Sequence, residues 1–138
     1  MYILDTNVVS ELRKAGSGKA DAGVVSWAEK VPANQLYLSV ISILELEQGI
    51  LQVSRRDIQQ GKLLRDWLEQ HVIPAFQERI LPIDLPVALR CAGLHVPDPG
   101  AERDTLISAT ALVHGMTIVT RNTKDFAATG AKLLNPWQ

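Results

Sequence analysis

Short apolar runs alternate with stretches of helical periodicity along the whole chain. The first run, Tyr2–Leu4, meets an acid at Asp5 and is followed at once by a pattern in which Val8, Val9 and Leu12 indicate a helix. Such a run suits a strand buried on both faces, although its length alone also permits a helix. If the run is a strand, Asp5 lies at its carboxyl end, where open α/β sheets bind their ligands.

Four later runs also predict strands, at residues 36–40, 79–83, 117–120 and 132–134. Pro82 favours an edge position for the run at 79–83, because proline donates no ladder hydrogen bond. A long helical pattern starts near Arg56, and we expect Pro74 to kink or split it. Strands separated by helices predict an α/β fold. We expect a three-layer α/β/α sandwich around a central parallel sheet of four to five strands.

Composition limits the class of protein without identifying its function. The chain has 138 residues, with 46% hydrophobic and 21% charged residues, which is typical of one globular domain spanning residues 1–138. No apolar stretch approaches the ~18 residues of a membrane span, and the N-terminus lacks a signal-peptide pattern. The lone Cys91 cannot form an internal disulfide and fits a reducing cytoplasm. A net charge of −1 neither favours nor excludes nucleic acid.

Four acidic residues stand where predicted strands end or helices begin. Asp5 ends the first strand, and Glu45 lies in the first turn of the helix that follows the second. Asp104 starts an apolar helix over residues 102–114, and Asp125 follows the fourth strand. Segments that leave strand ends share one rim of a doubly wound sheet, so at least three of these four acids could meet there. Crowded carboxylates need a compensating cation, and oxygen ligands favour Mg²⁺ or Mn²⁺.

Each acid also has an ordinary structural interpretation. Ser42-x-x-Glu45 matches a capping box, in which both side chains bind free N–H groups of the helix. Asp104 suits the positive end of a helix dipole, and Asp5 and Asp125 each suit an N-cap. No single acid decides between the interpretations. Their shared placement is what favours a site.

The segments that contain these acids resemble, in order, the motifs of PIN-domain ribonucleases. The segments are LDTN (4–7), SILEL (42–46) with Gly49, DTLISATAL (104–112) and TRNTKDF (120–126). The chain resembles in particular the VapC and FitB toxins of bacterial type II toxin–antitoxin pairs, and its ending LNPW (134–137) is similar to the FitB branch. Each motif alone is weak, but four in this order over nearly the whole chain are highly specific.

The resemblance implies a PIN-like fold and a Mg²⁺- or Mn²⁺-dependent endoribonuclease, usually homodimeric and inhibited by a cognate antitoxin protein. It makes Asp5 and Asp104 metal ligands, and Glu45 either a ligand or a residue that positions metal-bound water. The fourth catalytic position is Asp125 or that of Asn122, where some relatives have an acid. The bound metal would activate water for hydrolysis of the RNA phosphodiester bond.

Several polar residues in the same motifs are candidates to support the acids or contact a phosphate, with a purely structural role as the alternative. They are Thr6, Asn7, Thr120 and Asn122. Nearby cations can meet RNA phosphates or remain solvated, namely Arg13, Lys14, Arg121 and Lys124.

Two other functions compete with the nuclease. A phosphatase or receiver domain would also place an aspartate after a strand, but the phosphatase pattern needs a second aspartate where this chain has Asn7. The other alternative is a catalytically silent PIN-like module that binds RNA or protein. Intact acids at all the motif positions count against that module.

Overall fold

The sheet of this protein is parallel and has five short strands, as seen in a computed structural model that describes residues 1–137. The strands are β1 (Tyr2–Leu4), β2 (Leu36–Ser39), β3 (Ile80–Leu81), β4 (Thr117–Val119) and β5 (Leu133–Leu134). Their order is β3-β2-β1-β4-β5, so β1 is central. The strand β3, which directly precedes Pro82, lies at an edge as predicted.

Helices connect the strands and cover the sheet. The described residues form α1 (Thr6–Arg13), α2 (Ala22–Lys30), α3 (Val40–Ser54), α4 (Ile58–Trp67), α5 (Ile73–Ala75), α6 (Leu85–Leu94), α7 (Glu102–His114) and α8 (Thr123–Phe126). No helix within residues 1–137 is long and apolar enough to cross a membrane.

The central strands bury apolar side chains on both faces. Leu4 belongs to a core cluster that includes residues of α1 to α4, whereas its neighbour Ile3 packs in a second cluster with Ile107 of α7. Successive side chains of a strand point to opposite faces of the sheet, so a continuous apolar run supplies both layers. The three-layer α/β/α prediction is confirmed.

Pro74 splits the long helical segment as predicted. After α4 the chain makes a π-helical turn over Leu68–Val72 and resumes as α5. Proline has no N–H to donate, so the regular α-helical ladder is broken just before Pro74, which itself lies in the first turn of α5. The segment begins at Ile58, later than the predicted Arg56, because Asp57 caps it by accepting a 3.0 Å hydrogen bond from the Gln60 N–H.

Helix α3 begins two residues before the predicted start at Ser42. Ser39, the last residue of β2, is the N-cap, and its Oγ accepts a hydrogen bond from the Ile41 N–H at 3.0 Å. Ser42 is inside the helix, and its buried Oγ has no hydrogen-bond partner among residues 1–137. The capping-box interpretation of Ser42 and Glu45 is therefore wrong. Glu45 lies in the second turn of α3 and not in the first.

We expect Ser39→Ala to lower the free energy of unfolding by about 1 kcal/mol, because the Ile41 N–H loses its acceptor. Ser42→Ala removes an equally buried hydroxyl that has no partner, so its effect should stay below about 0.5 kcal/mol or be stabilising. Urea unfolding of both variants measures the difference. Equal destabilisation by the two substitutions would contradict the N-cap at Ser39.

Candidate active site

Asp5 lies where the central strand β1 ends and α1 begins. Its Oδ1 accepts the Thr6 N–H at 2.8 Å and its Oδ2 accepts the Thr120 hydroxyl at 2.7 Å, and the residue is only 7% exposed. The N-cap interpretation of Asp5 is thus confirmed. It is compatible with a site, because an ionised carboxylate has further lone pairs for a cation.

Thr120 is positioned by the pairing of β1 with β4. The register pairs Leu4 with Val119, so Asp5 and Thr120 leave their strands side by side, and the Asp5 N–H donates to the Val119 carbonyl at 2.9 Å. The fully buried Thr120 Oγ1 also accepts the Asn122 N–H at 3.0 Å. One hydroxyl therefore ties the end of β4 to the carboxylate at the end of β1.

Glu45 reaches the same rim from α3. Its Oε1 accepts the Thr6 hydroxyl at 2.6 Å, while the backbone N–H of Thr6 donates to Asp5. Thr6 therefore joins the two acids, with one donor group to each. The second oxygen of Glu45, Oε2, lies 4.0 Å from the Nη1 of Arg103.

Asp104, in the first turn of α7, completes the approach from the other side of the sheet. Burial and the charges of Asp5, Asp125 and Glu45 raise the pKa of Asp104 from 3.8 to about 6. The pKa of Asp5 is also raised, mainly by burial and further by the charges of Glu45 and Asp125, against the opposing hydrogen bond from Thr120. Asp5 and Asp104 are therefore close enough to the other acids to feel their charges, and we call Asp5, Glu45, Asp104 and Asp125 the acid cluster.

Asp125 is the fourth acid whose charge acts on Asp5 and Asp104, whereas Asn122 carries a neutral amide. Asp125 lies inside α8, whose N-cap residue Asn122 makes no side-chain capping bond, so the N-cap interpretation of Asp125 is wrong. Asn122 contacts Thr120 through its backbone N–H. Asn7 supports the same loop, because its Oδ1 accepts the Arg121 N–H at 3.4 Å and its Nδ2 lies 3.5 Å from the Thr120 Oγ1.

Arg103 is a residue at this rim that the sequence analysis missed. It follows Glu102 at the start of α7, a position that is unfavourable for a cation because helix N-termini carry partial positive charge. A cation at this unfavourable position, directly beside Asp104, is the sequence feature that could have identified Arg103.

The donor chemistry of the acid cluster suits a hard divalent cation, although within the described residues no three of its carboxylates have oxygens all within 4.8 Å of one another. Its side chains offer only oxygen donors, and the raised pKa values of Asp5 and Asp104 show burial and repulsion that a cation would relieve. Mg²⁺ commonly takes one or two carboxylates directly and keeps several waters, so four acids are sufficient.

Without metal, the acid cluster should make stability depend on pH. The folded-state pKa of Asp104 is about 6 against 3.8 for its ordinary value, so its deprotonation costs stability as pH rises from about 4 to 6. Because Asp104 is partly exposed and solvent screens its charge, we expect the free energy of unfolding to fall by about 1–2 kcal/mol.

We therefore expect Asp104→Asn to be more stable than wild type at pH 7.5 in EDTA, with a smaller difference at pH 4. Urea unfolding at both pH values measures this. A variant that is less stable than wild type at pH 7.5 would show that Asp104 is not destabilised by its neighbours.

The fold and the acid cluster together define a known class. The sequence model of the PIN-domain family matches residues 2–132, so the chain belongs to that family. It is 37% identical over 146 aligned positions to VapC ribonuclease Y4jK of Sinorhizobium fredii, covering all of this chain and 99% of that protein. It is 35% identical over 142 positions to toxin FitB of Neisseria gonorrhoeae, covering 99% of each.

A solved structure agrees with this assignment. The crystal structure of FitAcB from Neisseria gonorrhoeae superposes with a TM-score of 0.89 at 34% identity, over all of this chain and 99% of that one. The PIN-like fold and the VapC/FitB resemblance predicted from the motifs are confirmed.

Proposed function

We propose that this protein is a divalent-metal-dependent endoribonuclease and the toxin of a toxin–antitoxin pair. The observation that supports this most is the acid cluster, in which the carboxylate after β1 and those of α3, α7 and α8 lie near enough to act on one another's charges. The names of two full-length relatives, a VapC ribonuclease and the toxin FitB, favour the same activity and the same biological role.

In this proposal Asp5, Glu45 and Asp104 hold Mg²⁺ or Mn²⁺, and Asp125 contributes the fourth carboxylate. When bound, the ion lowers the pKa of a water molecule and stabilises charge on the phosphoryl oxygens. Thr120 fixes the orientation of Asp5, and Thr6 fixes that of Glu45. Because Thr6 occupies Oε1 of Glu45, Oε2 is the oxygen that would face the metal or a water molecule, with the Arg103 guanidinium 4.0 Å away.

An RNA cleavage assay with and without EDTA tests the activity. We expect cleavage of RNA by the purified protein with Mg²⁺ or Mn²⁺, and loss of cleavage when EDTA removes the metal. Cleavage that persists in EDTA would contradict the metal dependence. Inactivity against diverse RNAs with either metal would favour the catalytically silent binding module.

We propose that the cognate antitoxin binds beside the acid cluster. A groove of about 280 Å³ starts at Thr6 and Glu45 and runs along apolar Leu64 and Trp67, with Arg13 on its wall. An apolar segment with acidic residues would match this surface and block access to the acids. Such a partner, together with an RNA substrate, is consistent with a cytoplasmic protein.

We propose a homodimer that forms through the exposed apolar side of α6. Leu85 and Leu89 are one helical turn apart, and Val96 follows the helix, with exposed fractions of 72%, 65% and 74%. A second copy of the chain would cover these side chains, which are unusual on a solvated surface.

We expect Leu89→Glu to shift the protein from dimer to monomer, because a charge would be buried in the interface. Leu63→Glu on α4 is the matched control, since Leu63 is equally exposed, and it should leave the dimer intact. Light scattering during size-exclusion chromatography distinguishes the two. A Leu89→Glu dimer of unchanged stability would place the interface elsewhere.

A further inference from the structure

A polar cavity adjoins the acid cluster at Asp125. It has a volume of about 240 Å³ and is lined by consecutive residues of the turn after β4 and of the start of α8: Arg121, Asn122, Thr123, Lys124 and Asp125. We call it the basic cavity, because it has two cationic side chains against one carboxylate. Asp125 belongs to both the cavity and the acid cluster, so the two sites share a wall.

The loop of the basic cavity is held by the same hydrogen bonds that fix the acids. The Arg121 N–H donates to Asn7 Oδ1 at 3.4 Å, and the Asn122 N–H donates to Thr120 Oγ1 at 3.0 Å. That Thr120 hydroxyl in turn donates to Asp5 at 2.7 Å. Asn122 and Thr120 therefore connect the basic cavity to the Asp5 carboxylate by hydrogen bonds, so the fold sets the distance between the two.

Arg121 is held in place on its other side by an aromatic ring. Its guanidinium carbon lies 5.4 Å from the centre of the Trp137 ring, within the range of a cation–π interaction. Within residues 1–137, neither Arg121 nor Lys124 forms an ion pair. The Glu11 carboxylate also feels the charge of Arg121 but is not paired with it. A guanidinium that is held by a ring and has no carboxylate in contact can bind an anion with little loss of side-chain entropy.

We propose that the basic cavity binds the phosphate next to the scissile phosphate of the RNA substrate. The proposal rests on the proposed nuclease function, because it takes the acid cluster as the place of cleavage. Single-stranded RNA presents one phosphate for each nucleotide, so a strand that enters the acid cluster must bring a neighbouring phosphate alongside it. Arg121 and Lys124 provide the positive charge on the side marked by Asp125.

The charges explain why two cations are needed at this position. The Asp125 carboxylate repels a phosphate in the cavity, and a single cation would only cancel that repulsion. With both Arg121 and Lys124 the cavity remains net positive. Arginine can donate two parallel hydrogen bonds to a phosphate, while lysine contributes a point charge.

The first test is RNA binding and cleavage by the double variant Arg121→Ala/Lys124→Ala. The control is Arg56→Ala/Lys62→Ala, which removes the same charge from exposed positions at and before α4. We expect KM for RNA to rise on the order of tenfold for each lost cation, with kcat within about threefold of wild type. The slope of log affinity against log salt should fall by about 0.7 for each lost phosphate contact.

Binding is also measured by fluorescence anisotropy in an Asp104→Asn background, which separates it from catalysis. The double variant should bind RNA more weakly in this background too, and Arg121→Lys/Lys124→Arg should restore most of the affinity. Both substituted residues are exposed, Arg121 in the turn before α8 and Lys124 within it, and circular dichroism checks the fold. If the double variant unfolds, the single substitution Lys124→Gln provides the same comparison.

Trimmed substrates locate the phosphate. RNA strands are shortened from the 5′ or the 3′ side until the phosphate flanking the cleaved bond is lost. We expect the penalty of the double variant to vanish for strands trimmed on one side only. A penalty that is equal for every strand, or no penalty relative to the control, would overturn the proposal.

Two further outcomes are distinguishable. If wild type does not cleave RNA with Mg²⁺ or Mn²⁺, the proposed function fails, whatever the variants do. If the double variant cleaves and binds RNA like wild type but loses inhibition by the antitoxin, the basic cavity is a protein contact and the phosphate proposal is wrong.

Discussion

Asp5→Asn and Asp104→Asn should each reduce RNA cleavage on the order of 10³-fold at saturating Mg²⁺. Each substitution keeps the size of the side chain and removes the negative charge that a divalent cation needs. Asp5 is the most buried member of the acid cluster, and the pKa of Asp104 is the one raised to about 6 by its neighbours. Initial rates on a labelled RNA, normalised to folded protein, measure the effect.

Folding must be separated from chemistry in these variants. Glu29→Gln on α2 is the control, because Glu29 is exposed and lies outside the acid cluster. It should cleave like wild type. Thermal unfolding should show Asp104→Asn to be at least as stable as wild type without metal, since a destabilising charge is gone. Full cleavage by folded Asp104→Asn would locate the active site elsewhere.

Thr120→Val should lower cleavage about 10- to 100-fold, which is the usual cost of losing a group that orients a metal ligand. Thr120 is fully buried and cannot touch RNA, so the loss would arise through Asp5, whose Oδ2 accepts the hydroxyl at 2.7 Å. We expect a weaker apparent affinity for Mg²⁺ and a stability loss of about 1–3 kcal/mol, because the Asn122 N–H also loses its acceptor.

Thr120→Ser separates the hydroxyl from the rest of the side chain. Serine keeps Oγ and loses only the methyl group, so it should restore most of the cleavage and the Mg²⁺ affinity. Metal titrations of cleavage by both variants measure this. Thr120→Val with wild-type activity would show that Asp5 does not need this hydrogen bond.

Elements with strong local signals could be predicted from the sequence. The apolar helix α7 spans Glu102–His114 as predicted, because Gly115 follows it with a positive φ of 66° that favours glycine. The start of α3 was not predictable in this way. Ser39 and Ser42 both suit an N-cap, and the choice depends on where β2 stops pairing, which is a property of the sheet.

The meeting of the acids could be predicted, but the groups that hold them could not. Parallel strands place their carboxyl ends at one rim, so at least three of the four acids could be predicted to lie near it before the fold was known. The double role of Thr6 depends on the rotational position of α3, and the bond from Thr120 depends on the register of Leu4 with Val119. Neither quantity is encoded in a local pattern.

Calorimetric titration of Mn²⁺ into the RNA-free protein tests most directly whether the acid cluster is a metal site. We expect wild type and Glu29→Gln to bind Mn²⁺ with equal affinity, and binding to be lost in both Asp5→Asn and Asp104→Asn. If both cluster variants bind Mn²⁺ as tightly as wild type, or if folded wild type binds none, these carboxylates do not form a metal centre.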